Sequence, residues 1–183
     1  MNFNPFPVLT SEYLILRKVE ESDNYTILHL RSDKIINQYI KRPEHRQTKS
    51  ITDALNFIKT QHKNLENNVS IVWGITLKDQ SELIGTICLW NFSENKKVAE
   101  VGYDLKTEFH NKGIMTEALN LVLNFGFKQL KLQKIEAFTH FKNESSKRLL
   151  TKNGFILNPI RKDLDNDFNL IYENFKDTLN SEL

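Results

Sequence analysis

The feature that most constrains this chain is a set of three strand-like runs followed by one helix that is apolar almost all round. Val69 to Lys78 and Glu82 to Phe92 are rich in Ile, Val, Trp and Thr and are separated only by Asp79-Gln80-Ser81. That spacing predicts two antiparallel strands joined by a tight turn. Lys97 to Leu105 adds a third, in which Ala99, Val101, Tyr103 and Leu105 share one face while Glu100, Gly102 and Asp104 share the other. The helix from Ile114 to Leu130 carries Met115, Ala118, Leu119, Leu121, Val122, Leu123, Phe125 and Phe127, as expected of a helix packed beneath a sheet.

The flanking segments complete the pattern. Glu12 to Val19 reads as a first strand, and Ser22 offers an N-cap for a short helix reaching Arg31. Ser50-Ile51-Thr52-Asp53 resembles a capping box, and Ile51, Ala54, Leu55, Ile58, His62 and Leu65 recur at helical spacing until Asn67-Asn68. Lys134 to His140 reads as a strand and Asn143 to Asn153 as a helix, capped by Asn143 and stopped by Gly154. Phe168 to Phe175 supplies a last strand. The expected fold is α/β in the α+β sense: a mixed, mostly antiparallel sheet with helices on both faces. With no repeat, no low-complexity tract, 4 Pro and 6 Gly, residues 1–183 read as one domain.

Composition excludes several functions. Hydrophobic residues make up 39% and charged residues 26%, a balance that argues against a disordered tail. No uncharged stretch is longer than 11 residues, as in Asn67 to Leu77 and Leu83 to Ser93, so no membrane span is expected. The opening residues have no basic, apolar and small-residue succession, so no export signal is expected. A lone Cys88 permits no intrachain disulfide, which fits a cytoplasmic protein, and it reads as a buried, inert thiol. Five histidines without an HExxH or a close pair give no reason to expect a metal.

Cations number 25 and acids 23, so the chain lacks the overall field of a nucleic-acid binder. The charges are unevenly placed. Arg31, Lys34, Lys41, Arg42, Arg46 and Lys49 face only Asp33 and Glu44 in their segment. From Asp163 to Leu183, six acids (Asp163, Asp165, Asp167, Glu173, Asp177, Glu182) face only Lys176. Each is a solvated surface or the lining of a charged acceptor site.

The chemistry concentrates in Glu100-Val101-Gly102-Tyr103-Asp104-Leu105 and His110-Asn111-Lys112-Gly113-Ile114-Met115-Thr116-Glu117-Ala118. A strand ends, a tight loop follows and a helix begins, so backbone N–H groups and a positive helix end converge where an anion can sit. Neither a Walker loop nor the dinucleotide fingerprint is present.

Together with Asn143-Glu144-Ser145-Ser146-Lys147-Arg148-Leu149-Leu150-Thr151-Lys152-Asn153-Gly154-Phe155, the segment resembles the GNAT superfamily of acyl-CoA-dependent N-acetyltransferases. That family's pyrophosphate loop reads Arg/Gln-x-x-Gly-x-Gly/Ala; His110, Gly113 and Met115 stand at the marked positions and only Gly113 matches. Leu9 to Arg17, Leu83 to Ile87 and Glu100 to Tyr103 are similar to the branch containing the ribosomal-protein alanine and serine N-acetyltransferases. The resemblance runs from about Leu9 to Lys176.

The resemblance implies acetyl-CoA as co-substrate, held in a cleft between strands ending near Leu105 and His140. Its pantetheine would lie along Tyr103, Asp104 and Leu105, and its pyrophosphate on the loop and helix start formed by His110, Asn111, Lys112, Gly113, Ile114, Met115 and Thr116. Asn143 is either a plain N-cap or also a pantetheine ligand, and Lys112 touches a phosphate or points to water. The implied reaction is direct attack of an amine on the thioester, with Glu100 as candidate base and backbone N–H groups near Tyr103 to Leu105 polarising the carbonyl. Many family members place a Tyr where this chain has Leu150, which leaves Ser146, and behind it Tyr172, as candidates to protonate the thiolate. His110 reads as a loop residue before it reads as a base.

An α-amine titrates near 7.7 to 8.0 and Lys near 10.4, so a carboxylate base suits a protein N-terminus. The acidic segment would suit a polyamine or aminoglycoside, whereas the basic stretch would repel one. A non-catalytic acyl-CoA-binding module and ribosome or RNA binding through the basic stretch are the other classes. The sequence leaves monomer and homodimer equally open.

Overall fold

The computed structural model describes residues 1–176. Its strands are β1 (Leu9–Thr10), β2 (Leu14–Lys18), β3 (Ile71–Leu77), β4 (Leu83–Trp90), β5 (Val98–Leu105), β6 (Lys134–His140), β7 (Ile156–Asn158) and β8 (Asn169–Phe175). The helices are α1 (Asn24–Ser32), α2 (Ile51–Glu66), α3 (Ile114–Asn124) and α4 (Glu144–Lys152). The eight strands form one sheet in the order β1-β2-β3-β4-β5-β6-β8-β7, antiparallel throughout except between β5 and β6. This is the mixed, mostly antiparallel sheet predicted.

Strand alternation divides the core in two. Ile87, Leu89, Ala99, Val101, Ile135 and Ala137 pack with Ala118, Leu119, Val122 and Leu123 of α3 and Leu150 of α4. On the opposite face, Ile27 and Leu30 of α1 and Ala54 and Ile58 of α2 close over Val19 and Leu83. Burial of this much branched apolar surface is the main source of stability, and it ties each helix to one face.

The helix ends follow the local signals. Ser50 Oγ accepts from the Asp53 amide at 3.2 Å while Asp53 accepts from the Lys49 amide at 2.9 Å. Asn143 Oδ1 accepts from the Ser146 amide at 3.1 Å, and Gly154 takes φ +79°.

Three boundaries depart from the sequence reading. The first helix is entered through a 3-10 turn, Glu21–Asp23, and Asp23 rather than Ser22 organises it. The Asp23 carboxylate accepts from the Glu20 amide at 2.8 Å and takes two 2.8 Å bonds from Arg17, a partner outside the helix. The helix predicted to Leu130 leaves α geometry at Asn124 and finishes as a π turn, Phe125–Gln129. There Gly126 presses on the sheet: a Cβ would lie 2.8 Å from Ile135 Cδ1 and 3.2 Å from Leu132 Cδ1. Finally, β1 and β7 are two and three residues long, too short to show a period of two.

Candidate active site

The parallel pairing of β5 with β6 covers only Val98↔Lys134, Ala99↔Ile135 and Glu100↔Glu136. Beyond it β5 continues on β4 alone and β6 on β8 alone, so the sheet opens into a V. Among the described residues the edge of β5 from Val101 to Leu105 that faces this gap has no strand partner, which leaves backbone N–H and C=O groups, other than the Leu105 carbonyl, for an extended ligand.

Below the V, His110 stabilises the strand end. Its Nε2 lies 2.9 Å from the Leu105 carbonyl, and because a carbonyl only accepts, this nitrogen carries the proton. Asn111 at φ 58° and Gly113 at φ 78° turn the chain into α3. Among the described residues no protein group accepts from the amides of Ile114, Met115 or Thr116, the ordinary condition of a helix start and a ready anion seat. Lys112 is exposed, its ammonium 5.5 Å from the Phe109 ring centroid. Asn143 caps α4 through its oxygen, and its side-chain nitrogen bonds no protein group among the described residues.

On the α1/α2 face, Glu100 is half-buried at the mouth of the V. Burial pushes its carboxyl up; a 2.5 Å hydrogen bond from Asn91 pulls it down, Glu136 and Asp163 push it up again, and Arg161 opposes them. No cation pairs with it at 4 Å or less among the described residues. Asp104, on the same face, is also pushed up by burial, and accepts from the Thr86 hydroxyl at 2.6 Å and its amide at 3.1 Å. Cys88 lies between them and burial pushes its thiol to about 12, so it stays protonated and uncharged.

On the α3/α4 face, the Tyr103 and Ser146 hydroxyls share a 2.8 Å hydrogen bond. Burial pushes the Tyr103 phenol up to about 12, against a smaller opposing effect of that bond, so it remains a proton donor. Sequence reasoning singled out Ser146 but took Tyr103 only for its backbone. The strand alternation, which puts Tyr103 on the helix-covered face, is the signal that could have linked them. Leu150 is fully buried and Tyr172 is 7% exposed, both within the core.

Two further groups flank the gap. At the end of β6, His140 stacks on Tyr39, Phe141 and Phe168 at centroid distances of 5.1, 4.9 and 5.7 Å. The acidic segment is engaged in part: Asp165 and Asp167 are exposed, while Glu173 and Asp163 have partners. Glu173 bonds Lys134, Arg161 and Asn158, and Asp163 accepts from Asn169 at 2.7 Å. Asp177 and Glu182 lie outside the described residues.

A family model described as an acetyltransferase (GNAT) domain matches residues 13–156. The uncharacterized N-acetyltransferase YoaA of Bacillus subtilis is 33% identical over 150 residues, which span 82% of this chain and 83% of that protein. Among solved structures, the ribosomal-protein-S5-alanine acetyltransferase of Vibrio fischeri superposes with a TM-score of 0.78 at 22% identity, covering 93% of this chain and 97% of that one. RimJ of Mycobacterium smegmatis, solved in complex with CoA-disulfide, gives a TM-score of 0.79 at 19% identity over 96% and 88% of the two chains. At these identities the two structures establish likeness of fold.

Proposed function

Because this chain belongs to the GNAT acetyltransferase family and is an N-acetyltransferase, we propose that it acetylates the free α-amine of a protein or peptide, taking the acetyl group from acetyl-CoA. The observation that carries this reading is the V itself: one gap reached by Glu100 from one face and by the Tyr103–Ser146 pair from the other. A thioester threaded along the free β5 edge meets an acceptor from the α1/α2 side and a proton donor from the α3/α4 side. Acetyl-CoA supplies the activated acyl group. The unpaired amides of Ile114, Met115 and Thr116, the loop His110 to Gly113 and the free Asn143 amide fit its phosphates and pantetheine in chemical type.

Each protein group then has one task. Glu100 takes the ammonium proton, a role favoured by a carboxyl raised towards the amine's range and held by Asn91 rather than by a cation. Backbone N–H groups on the Tyr103 to Leu105 edge polarise the acyl carbonyl. Ser146 donates to the departing sulfur and Tyr103 orients that hydroxyl and restores its proton, the phenol regaining its own from solvent through the open gap. Asp104 is tied to Thr86 and holds the end of β5 in place.

The test is CoA-thiol release from acetyl-CoA with peptides beginning Ala, Ser or Thr, alongside polyamines and aminoglycosides. Turnover confined to the peptides is expected. Turnover confined to the cationic amines overturns the acceptor assignment, and acetyl-CoA binding without any turnover overturns catalysis in favour of a binding module.

A further inference from the structure

We infer that the acceptor is read through a carboxylate: three arginines beside the V form an oxyanion subsite that selects N-termini with Asp or Glu among their first residues. The inference rests on the N-terminal reading above and deepens it.

Arg31, in the last turn of α1, donates to Thr48 Oγ1 at 2.8 Å and to the Arg46 carbonyl at 2.9 Å, with its guanidinium 3.9 Å from the Phe57 ring centroid. Arg42 donates to Asn37 Oδ1, and Arg46 lies 5.9 Å from the Trp90 ring centroid. These bonds go to neutral groups. Among the described residues no carboxylate oxygen comes within 4 Å of a nitrogen of any of the three. Asp104 is the carboxylate acting on both Arg31 and Arg42, so two partly buried cations, with the exposed Arg46 beside them, face one carboxylate that burial itself pushes towards protonation. Cys88, the other titratable neighbour, stays an uncharged thiol.

The same chain shows how its arginines look when they are structural. Arg17 forks onto Asp23 and Arg161 onto Glu136 and Glu173, and each is pushed up by its partners. Arg31 and Arg42 are instead pulled down, by burial first, and Arg31 is held to about 10. Partly buried guanidinium groups left without an anion are costly, and an oxyanion arriving from outside removes that cost.

Their position says whose oxyanion it is. Trp90 is the register partner of Glu100, and Thr86 of Asp104, so the cluster lies along the face of β5 that carries the candidate base. The loop and helix start that suit the phosphates of acetyl-CoA lead into α3, which covers the opposite face. From Glu100 to Asp104 is four strand residues, about 13 Å, which an extended peptide spans in three to four residues. A peptide with its free amine at Glu100 and its chain running towards Asp104 places the side chains of its next few residues over the arginines. Their positive field also favours the uncharged amine that attack requires.

The experiment compares kcat/KM for peptides sharing one N-terminal residue and carrying Glu, Gln or Lys at positions 2 to 4, with wild type, Arg42→Gln, Arg46→Gln and Arg42→Lys. Glu peptides are expected to exceed Gln peptides by roughly tenfold, as a charge-assisted hydrogen bond gives. The ratio should shrink with added salt, collapse towards one in both Gln variants and survive in part in Arg42→Lys. Thermal melting of the variants verifies folding, and the wild-type comparison does not depend on it. A wild-type ratio near one, or a ratio unchanged in both Gln variants, overturns the inference. If polyamines are acetylated and no peptide is, this inference and the N-terminal reading fall together. If small amines bearing a carboxylate outrun matched neutral amines while peptides fail, the oxyanion subsite stands and the peptide reading alone falls.

Discussion

Glu100 and Glu136 face each other across the last paired rung of β5 and β6, and the chain treats them in opposite ways. Glu136 is gripped by Lys134 at 2.5 Å and by Nη1 and Nη2 of Arg161, and neighbouring Glu173 shares the same two cations. Among the described residues Glu100 has a single hydrogen-bond partner, the Asn91 amide, and no cation within 4 Å. Burial pushes the Glu173 carboxyl up, but hydrogen bonds from Lys134, Asn158 and Arg161 outweigh it and hold the group at about 2. Glu100 moves the other way. Where the sheet stays closed, its acids are neutralised; where it opens, an acid is left able to accept a proton.

The largest expected effect is on Glu100. Replacing it with Gln should lower kcat/KM by two orders of magnitude or more, the usual worth of a general base, while the melting temperature holds or rises. In the native enzyme kcat/KM should climb as pH rises through the elevated Glu100 pKa, because the base form grows in that direction. The variant should lose that limb. An undiminished rate between pH 6 and 9 would erase the functional half of the contrast.

A smaller loss tests the other side of the V. Tyr103→Phe should reduce kcat about tenfold with little change in KM for acetyl-CoA, and combining it with Ser146→Ala should add little to the larger single loss, since paired groups are not additive. Full additivity would mean that the two hydroxyls act separately.

The smallest effect concerns stability on the closed side. The depressed Glu173 pKa contributes stability that is fully present above the ordinary value of 4.5 and lost as pH falls through about 2. Glu173→Gln should therefore cost about 1–2 kcal/mol at neutral pH, and the penalty should shrink across that acid window in melts followed by circular dichroism. An equal penalty at pH 7 and pH 2 would show that packing, and not charge, sets the role of Glu173.

Much of this was written locally. The caps at Ser50, Asn143 and Gly154 and the acid facing out of β5 depend on residues within a few positions of one another, so periodicity and turn chemistry reveal them. The basic stretch was visible as charge, but its target was not: Arg31 meets Thr48 and Phe57 from another helix and its approach, and Asp104 from a strand. Within the acidic segment the sequence did not separate Glu173, which is taken up by Lys134 and Arg161, partners 39 and 12 residues away, from Asp165 and Asp167, which stay exposed.

The sequence by itself determined the strand and helix types, the mixed sheet and the presence of a mid-strand acid near an anion-seating loop, because each follows from short-range sterics and from which faces must be buried. Only the tertiary structure decided which charges were neutralised. It joined Tyr103 to Ser146, 43 residues apart, and among the described residues left Arg31, Arg42 and Arg46 with no carboxylate oxygen within 4 Å. Desolvation and pairing act between side chains that chain closure brings together, and their sign depends on neighbours that no local pattern records.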